Sequence, residues 1–241
     1  MVNIVNKWNM VLSLLTISTT IFITLYPNNK DYTYFLMYTY VLVNTLRSIH
    51  PKRDVENICL NKSKFSSVLI GRSIATVAEI SFIVLLTIYY NKIANNKYSA
   101  YTKLIIAIII ISEIFSWLGC TTKNQIYNTL EESGWALSFI IFSVIVYQIN
   151  SEKPSDNLRF QLFCYVLFVV YLLAVDIPMY YKRWENSKKK YLSISQGIDD
   201  IKNPRLITND YNIWKQEMIW QTGYFFFASW YSIYIYFQIN R

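Results

Sequence analysis

A single histidine, His50, occurs in 241 residues. That scarcity excludes the multi-histidine iron sites of desaturase-like and hydroxylase-like enzymes and argues against a histidine-rich zinc site. Glycine and proline number only five each, and no Pro/Gly/Ser-rich linker or internal repeat divides the chain. No GxxxxGK[ST], GxGxxG or GxSxG pattern is present, so nucleotide-driven pumping and serine-hydrolase chemistry have no support. The three cysteines, Cys59, Cys120 and Cys164, show no paired spacing and read as ordinary small residues.

What is abundant is apolar. The chain is 54% hydrophobic and 17% aromatic, far above the composition of an ordinary soluble domain. Seven segments read as helical spans, at about 9–27, 33–48, 65–90, 102–121, 133–149, 159–181 and 218–238, most of them near the roughly 20 residues a bilayer requires. The second and fifth are short, so six is the alternative count. The fold expected is therefore all-α: a polytopic membrane helix bundle forming one integral membrane domain over 1–241, with the lipid bilayer as its first partner. The first span has no small-residue cleavage pattern at its far end, FITLYPNNK, and reads as a retained signal anchor.

Charge sets the orientation. With seven spans, the N-terminus and the connections 49–64, 122–132 and 182–217 share one side. That side carries fifteen Lys/Arg, including Lys188, Lys189 and Lys190, against seven on the other. The positive-inside rule then places the N-terminus in the cytosol. The net charge of +8 lies in these connections rather than on one basic face, so nucleic acid is not an expected partner. In the long connection, YLSISQGIDDIK has Leu192, Ile194, Ile198 and Ile201 at loosely helical spacing, which suits either a helix on the membrane surface or a solvated loop.

Some polar residues fall where lipid should be. Arg72 and Glu79, in GRSIATVAE, share one helix face with Thr76 between them, and that face cannot point at lipid. Gly71, Ala75 and Ala78 add a small surface on which another helix can approach closely. Seven residues span about 10 Å of rise, so Arg72 and Glu79 are each expected to find a partner on another helix rather than bridge directly. Glu113 lies toward the cytosolic end of the fourth span, Glu131 and Glu132 open the fifth, Asp176 closes the sixth just before Pro178, and Glu217 enters the seventh. Arg47 ends the second span on the same side. Trp117 and Trp220 stand near the same level, where tryptophan is also common simply as an interfacial anchor.

Intramembrane ionisable residues are costly and are functional candidates by default. The pattern predicts a carboxylate-lined polar cavity opening to the cytosol. Glu79, Glu113 and Asp176 are the candidate catalytic groups of an enzyme acting by acid/base chemistry on a lipid or other hydrophobic small molecule. Arg72, Thr76, Trp117, Glu132, Tyr180, Glu217 and Trp220 would line its substrate site. No cofactor is evident, although Glu79, Glu113 and Asp176 would suit a divalent cation. A retinal Schiff base is excluded, because the seventh span has no lysine. The alternatives are a structural or assembly protein whose charges fasten helices, and a proton- or cation-coupled transporter.

Overall fold

A computed structural model describes residues 3–27, 30–187 and 190–241; Lys188 and Lys189 of the basic run lie outside them. The described residues are predominantly helical. Their helices are α1 (Ile4–Leu25), α2 (Tyr32–Ile49), α3 (Val68–Ile93), α4 (Ser99–Thr122), α5 (Ile126–Glu152), α6 (Asp156–Tyr171), α7 (Ile177–Glu185), α8 (Ile194–Ile201), α9 (Tyr211–Thr222) and α10 (Ala228–Ile239). One π turn, Leu172–Asp176, joins α6 to α7, and another, Gly223–Phe227, joins α9 to α10. Five helical stretches are long and apolar enough to cross a membrane: α1, α3, α4, α5 and the continuous Asp156–Glu185.

The helix starts follow from local chemistry. Asn3, Asp31 and Asp210 each place a side-chain oxygen on a first-turn amide, at 2.9 Å to Val5 N, 3.0 Å to Tyr34 N and 2.9 Å to Asn212 N, the usual service of an N-cap. The π turn at Leu172–Asp176 immediately precedes Pro178. Proline lacks the N–H that would continue the regular ladder, and one wide turn accommodates the loss.

The chain divides into two compact units, 1–86 with 196–241, and 87–195; α3 is one continuous helix contributing to both. In the first unit α1 and α2 meet along a seam of small polar side chains. Thr16 and Ser48 hydroxyls lie 2.6 Å apart, Thr20 and Thr45 2.7 Å, and Asn9 Nδ2 donates to Ser48 O at 2.6 Å. Small hydroxyl residues allow close backbone approach and supply bonds that lipid cannot.

At one end of this unit lies a feature that the sequence pattern does not announce, a three-stranded sheet in the order β1 (Lys52–Arg53), β2 (Ile58–Cys59), β3 (Leu206–Ile207). β1 and β2 are antiparallel, β2 and β3 parallel. The connections expected as polar loops at 49–64 and 182–217 are thus partly ordered and joined to each other. Asn57 is the pivot: it adopts the left-handed region at φ 56°, and its Nδ2 donates to Asp200 O and Asn203 O, both at 2.8 Å. Beneath the sheet, Val5, Leu60 and Trp214 form a buried cluster against which Trp8, Ile58, Ile213 and Met218 pack. Asn3 Nδ2 also reaches Asn209 O at 2.9 Å. The start of α1, the end of α2, the start of α3 and the start of α9 therefore share the sheet end of the unit.

In the second unit α4 and α5 approach closely at two glycines. A Cβ on Gly119 would stand 2.5 Å from Asn128 Oδ1, and one on Gly134 would collide with the Ser112 hydroxyl. Farther along, Tyr90 donates to Gln161 Oε1 at 2.6 Å and meets the Tyr165 hydroxyl at 2.8 Å, so the polar groups buried there satisfy one another.

Candidate functional site

The densest buried polar chemistry of the first unit surrounds Glu79. Arg72 Nη2 donates to Glu79 Oε2 at 2.7 Å, Arg47 Nη1 to Oε1 at 3.2 Å, and the Tyr224 hydroxyl to Oε1 at 2.8 Å. Arg47, Arg72 and Glu79 are 7%, 5% and 5% exposed. This corrects the expectation that Arg72 and Glu79 are too far apart to bridge. The rise between their Cα atoms is indeed two turns, but helix side chains slant along the axis, and an arginine with a glutamate covers the gap. The expected partners on other helices are present as well, in Arg47 from α2 and Tyr224 from the second π turn.

The π turn explains how Tyr224 reaches the carboxylate. An i→i+5 turn inserts a residue and rotates the helix beyond it, so that consecutive aromatics address one cation. Arg47 Cζ lies 5.5 Å from the Tyr224 ring centroid and 5.1 Å from that of Phe225, within cation–π range. Tyr40, fully buried on α2, stacks on Phe82 of α3 at 4.5 Å and 16°. The guanidinium is thereby held between a carboxylate and aromatic faces, a setting in which arginine's planar donors are used and lysine's would not be.

Nearer the sheet stands a second group. Arg53 lies between Glu56, at 2.8 Å, and Glu217, at 3.3 Å, while Trp220 Nε1 donates to Glu217 Oε2 at 2.6 Å. Lys52 is buried, and its ammonium donates to Phe65 O and Ser67 O, both at 2.9 Å. Burial pulls its pKa below the ordinary lysine value, against the opposing pull of Asp54 and Cys59. Gly71 lies directly over this side chain: a Cβ there would come within 2.8 Å of Lys52 Cδ and Cε. Burial likewise pushes the Cys59 thiol up to about 11; with its Sγ donating to Ser66 O at 2.8 Å, it is a packed thiol and not a nucleophile.

The sequence-derived candidates fall in both units. In the first unit Arg72 and Glu79 are bonded to each other, Thr76 lies half-buried between them, and Glu217 is joined by Trp220 and Arg53. In the second unit Glu113 is buried on α4, and a carboxylate oxygen of it lies within 4.8 Å of one from Glu131 on α5. At such a spacing two carboxylates can both reach one cation. Asn128 Nδ2 donates to Glu131 Oε2 at 3.1 Å. Glu131, not Glu132, is the inward residue; consecutive helical positions point about 100° apart, and Glu132 is only half-buried. Trp117, Asp176 and Tyr180 are half-buried, and Tyr180 lies under the Arg183 guanidinium at 5.6 Å.

Sequence reasoning gave no site role to Tyr224 or Tyr40, and it placed Arg47 only as a helix-end charge. Arg47 carried a signal, a guanidinium at the end of an apolar run. Tyr224 carried none, because its direction depends on the π turn. No known protein family matches the chain, and neither a curated protein nor a solved structure resembles it.

Proposed function

We propose that the chain is a seven-span integral membrane protein, with its N-terminus in the cytosol, that binds the anionic head of a lipid or other hydrophobic molecule from the cytosolic leaflet. The five apolar stretches are joined in this reading by α2 and by Tyr211–Ile239. The sheet end, where four helix ends meet, carries Lys52, Arg53, Lys62, Lys64, Lys202 and Arg205 and is taken as the cytosolic side.

The observation that carries the binding reading is the convergence of two guanidinium groups and a phenol on a single carboxylate within apolar helices. This donor set is the one that holds a carboxylate or phosphate group. Glu79 occupies it as an internal anion, and an incoming headgroup would displace it. Both Glu79 oxygens are engaged, so we read the cluster as a binding group rather than as an acid/base pair. A second reading has its own support: the same three donors tie α2, α3 and the final helical stretch together, as a structural fastener would.

Native mass spectrometry and lipid extraction on protein purified in mild detergent separate the two. Binding at the cluster predicts a specific anionic amphiphile on wild type, more of it on Glu79→Gln, where the internal competitor is gone, and less on folded Arg47→Gln and Arg72→Lys. A fastener predicts no specific ligand on any of them, with Glu79→Gln destabilised by about 3–5 kcal/mol, the usual consequence of leaving buried charge uncompensated.

A further inference from the structure

Away from the buried cluster, the first unit has a groove of about 310 Å³ running along α1 from Ile4 to Leu15 and closed on its other side by Thr222 of α9. Its floor is fixed by the protein itself. Leu12 is 2% exposed, and Trp8 is pinned by its Nε1–H to Thr222 Oγ1 at 2.9 Å and leans on Trp214 at 6.4 Å. Its rim is open and apolar, with Ile4, Val11 and Leu15 all exposed. From Lys7 to Leu15, eight residues of helix measure about 12 Å, which fits within one leaflet of the roughly 30 Å hydrocarbon core.

A cation stands at the shallow end. Lys7 lines the groove one turn from Ile4, its side chain is exposed, and it makes no ion pair among the described residues. Asn3, a turn earlier, is bonded to Asn209 at the sheet end, so Lys7 stands at the level where α1 leaves the apolar region. A lysine there extends its ammonium toward the headgroup layer while its stem remains on apolar surface.

We propose that this groove is a seat for one anionic glycerophospholipid, with the phosphate on Lys7 and an acyl chain along Val11, Leu12 and Leu15. Length, apolar lining and a cation at one end match an amphiphile of that shape. A second copy of α1 would bring the same cation against Lys7, whereas an anionic headgroup complements it. The proposal stands independently of the Arg47–Arg72 cluster.

The test is reconstitution of the full chain into vesicles of equal phosphatidylcholine and phosphatidylglycerol, gentle extraction, and mass spectrometry of the retained lipid. Wild type is expected to enrich phosphatidylglycerol. Lys7→Gln should reduce that enrichment by about fivefold, the factor one lysine contributes near an anionic surface, with no change in thermal stability. Val11→Trp, which fills the groove from its open rim, should lower retention of both lipids. An unchanged lipid ratio in Lys7→Gln overturns the proposal, as does an enrichment that responds to Arg72→Lys alone, which would place the lipid at the interior cluster. A dimer that Val11→Trp dissociates would also overturn it, in favour of a second copy as the occupant.

Discussion

The residue that organises the first unit most economically is Glu79, because one carboxylate receives hydrogen bonds from α2, from α3 and from the second π turn. Its position inside a span was legible from GRSIATVAE, as was the need for a partner beyond its own helix. The bridge to Arg72 was not, since a count of helical rise ignores the reach of two long side chains. Which of Glu131 and Glu132 is the more buried was not legible either: adjacent acids at the start of a helix look alike until packing decides which faces inward. Gly71 has the sequence setting of a small-residue helix contact, yet it serves as clearance for the buried Lys52 stem. Gly71→Ala is therefore expected to destabilise by about 1–3 kcal/mol, as overpacking does. Gly223→Ala, where a Cβ meets nothing within 4 Å, should be neutral or slightly stabilising. Thermal unfolding of both variants in the same detergent checks the contrast.

Among the elements, the long helices were readable because apolar runs near 20 residues admit few other interpretations. Their ends were less so, and α5 begins at Ile126 rather than near 133, since a polar opening turn carries no hydropathy signal. The sheet was invisible: strands of two residues have no period to detect, and β3 is separated from β2 by most of the chain. The helical spacing in YLSISQGIDDIK was a true signal, realised as α8 with Ile201 buried. What joins these pieces is Asn57, whose backbone is left-handed and whose amide bonds the 200–203 segment. Asn57→Gly keeps the backbone conformation and loses the side-chain bonds, whereas Asn57→Ala loses both. Proteolytic nicking within 196–210 is expected to rise for Asn57→Gly and to rise further for Asn57→Ala; equal resistance to wild type would remove the pivot role.

For the whole molecule, composition points to a membrane protein, and the described helices supply five stretches long and apolar enough to cross a bilayer. The proposed count of seven depends in addition on α2 and on Tyr211–Ile239, which carry tyrosine, threonine and asparagine among their apolar residues. Part of that polarity is turned inward: Asn44 of α2 donates to Ser229 of α10 at 3.1 Å, and both are buried. A helix whose polar side chains bond inside the protein can span lipid with a lower mean hydropathy than one that faces it all round. The orientation proposed above rests on the charge at the sheet end and is independent of any ligand.

The most direct measurement is therefore cysteine labelling in sealed inverted and right-side-out vesicles, on a background with Cys59, Cys120 and Cys164 replaced. Lys62→Cys and Lys202→Cys should react with an impermeant maleimide only from the cytosolic face. Lys97→Cys and Lys153→Cys, beyond the third and fifth spans, should react only from the opposite face. Reaction of all four from one face, or of Lys62→Cys and Lys202→Cys from different faces, would contradict the seven-span arrangement with its cytosolic sheet end.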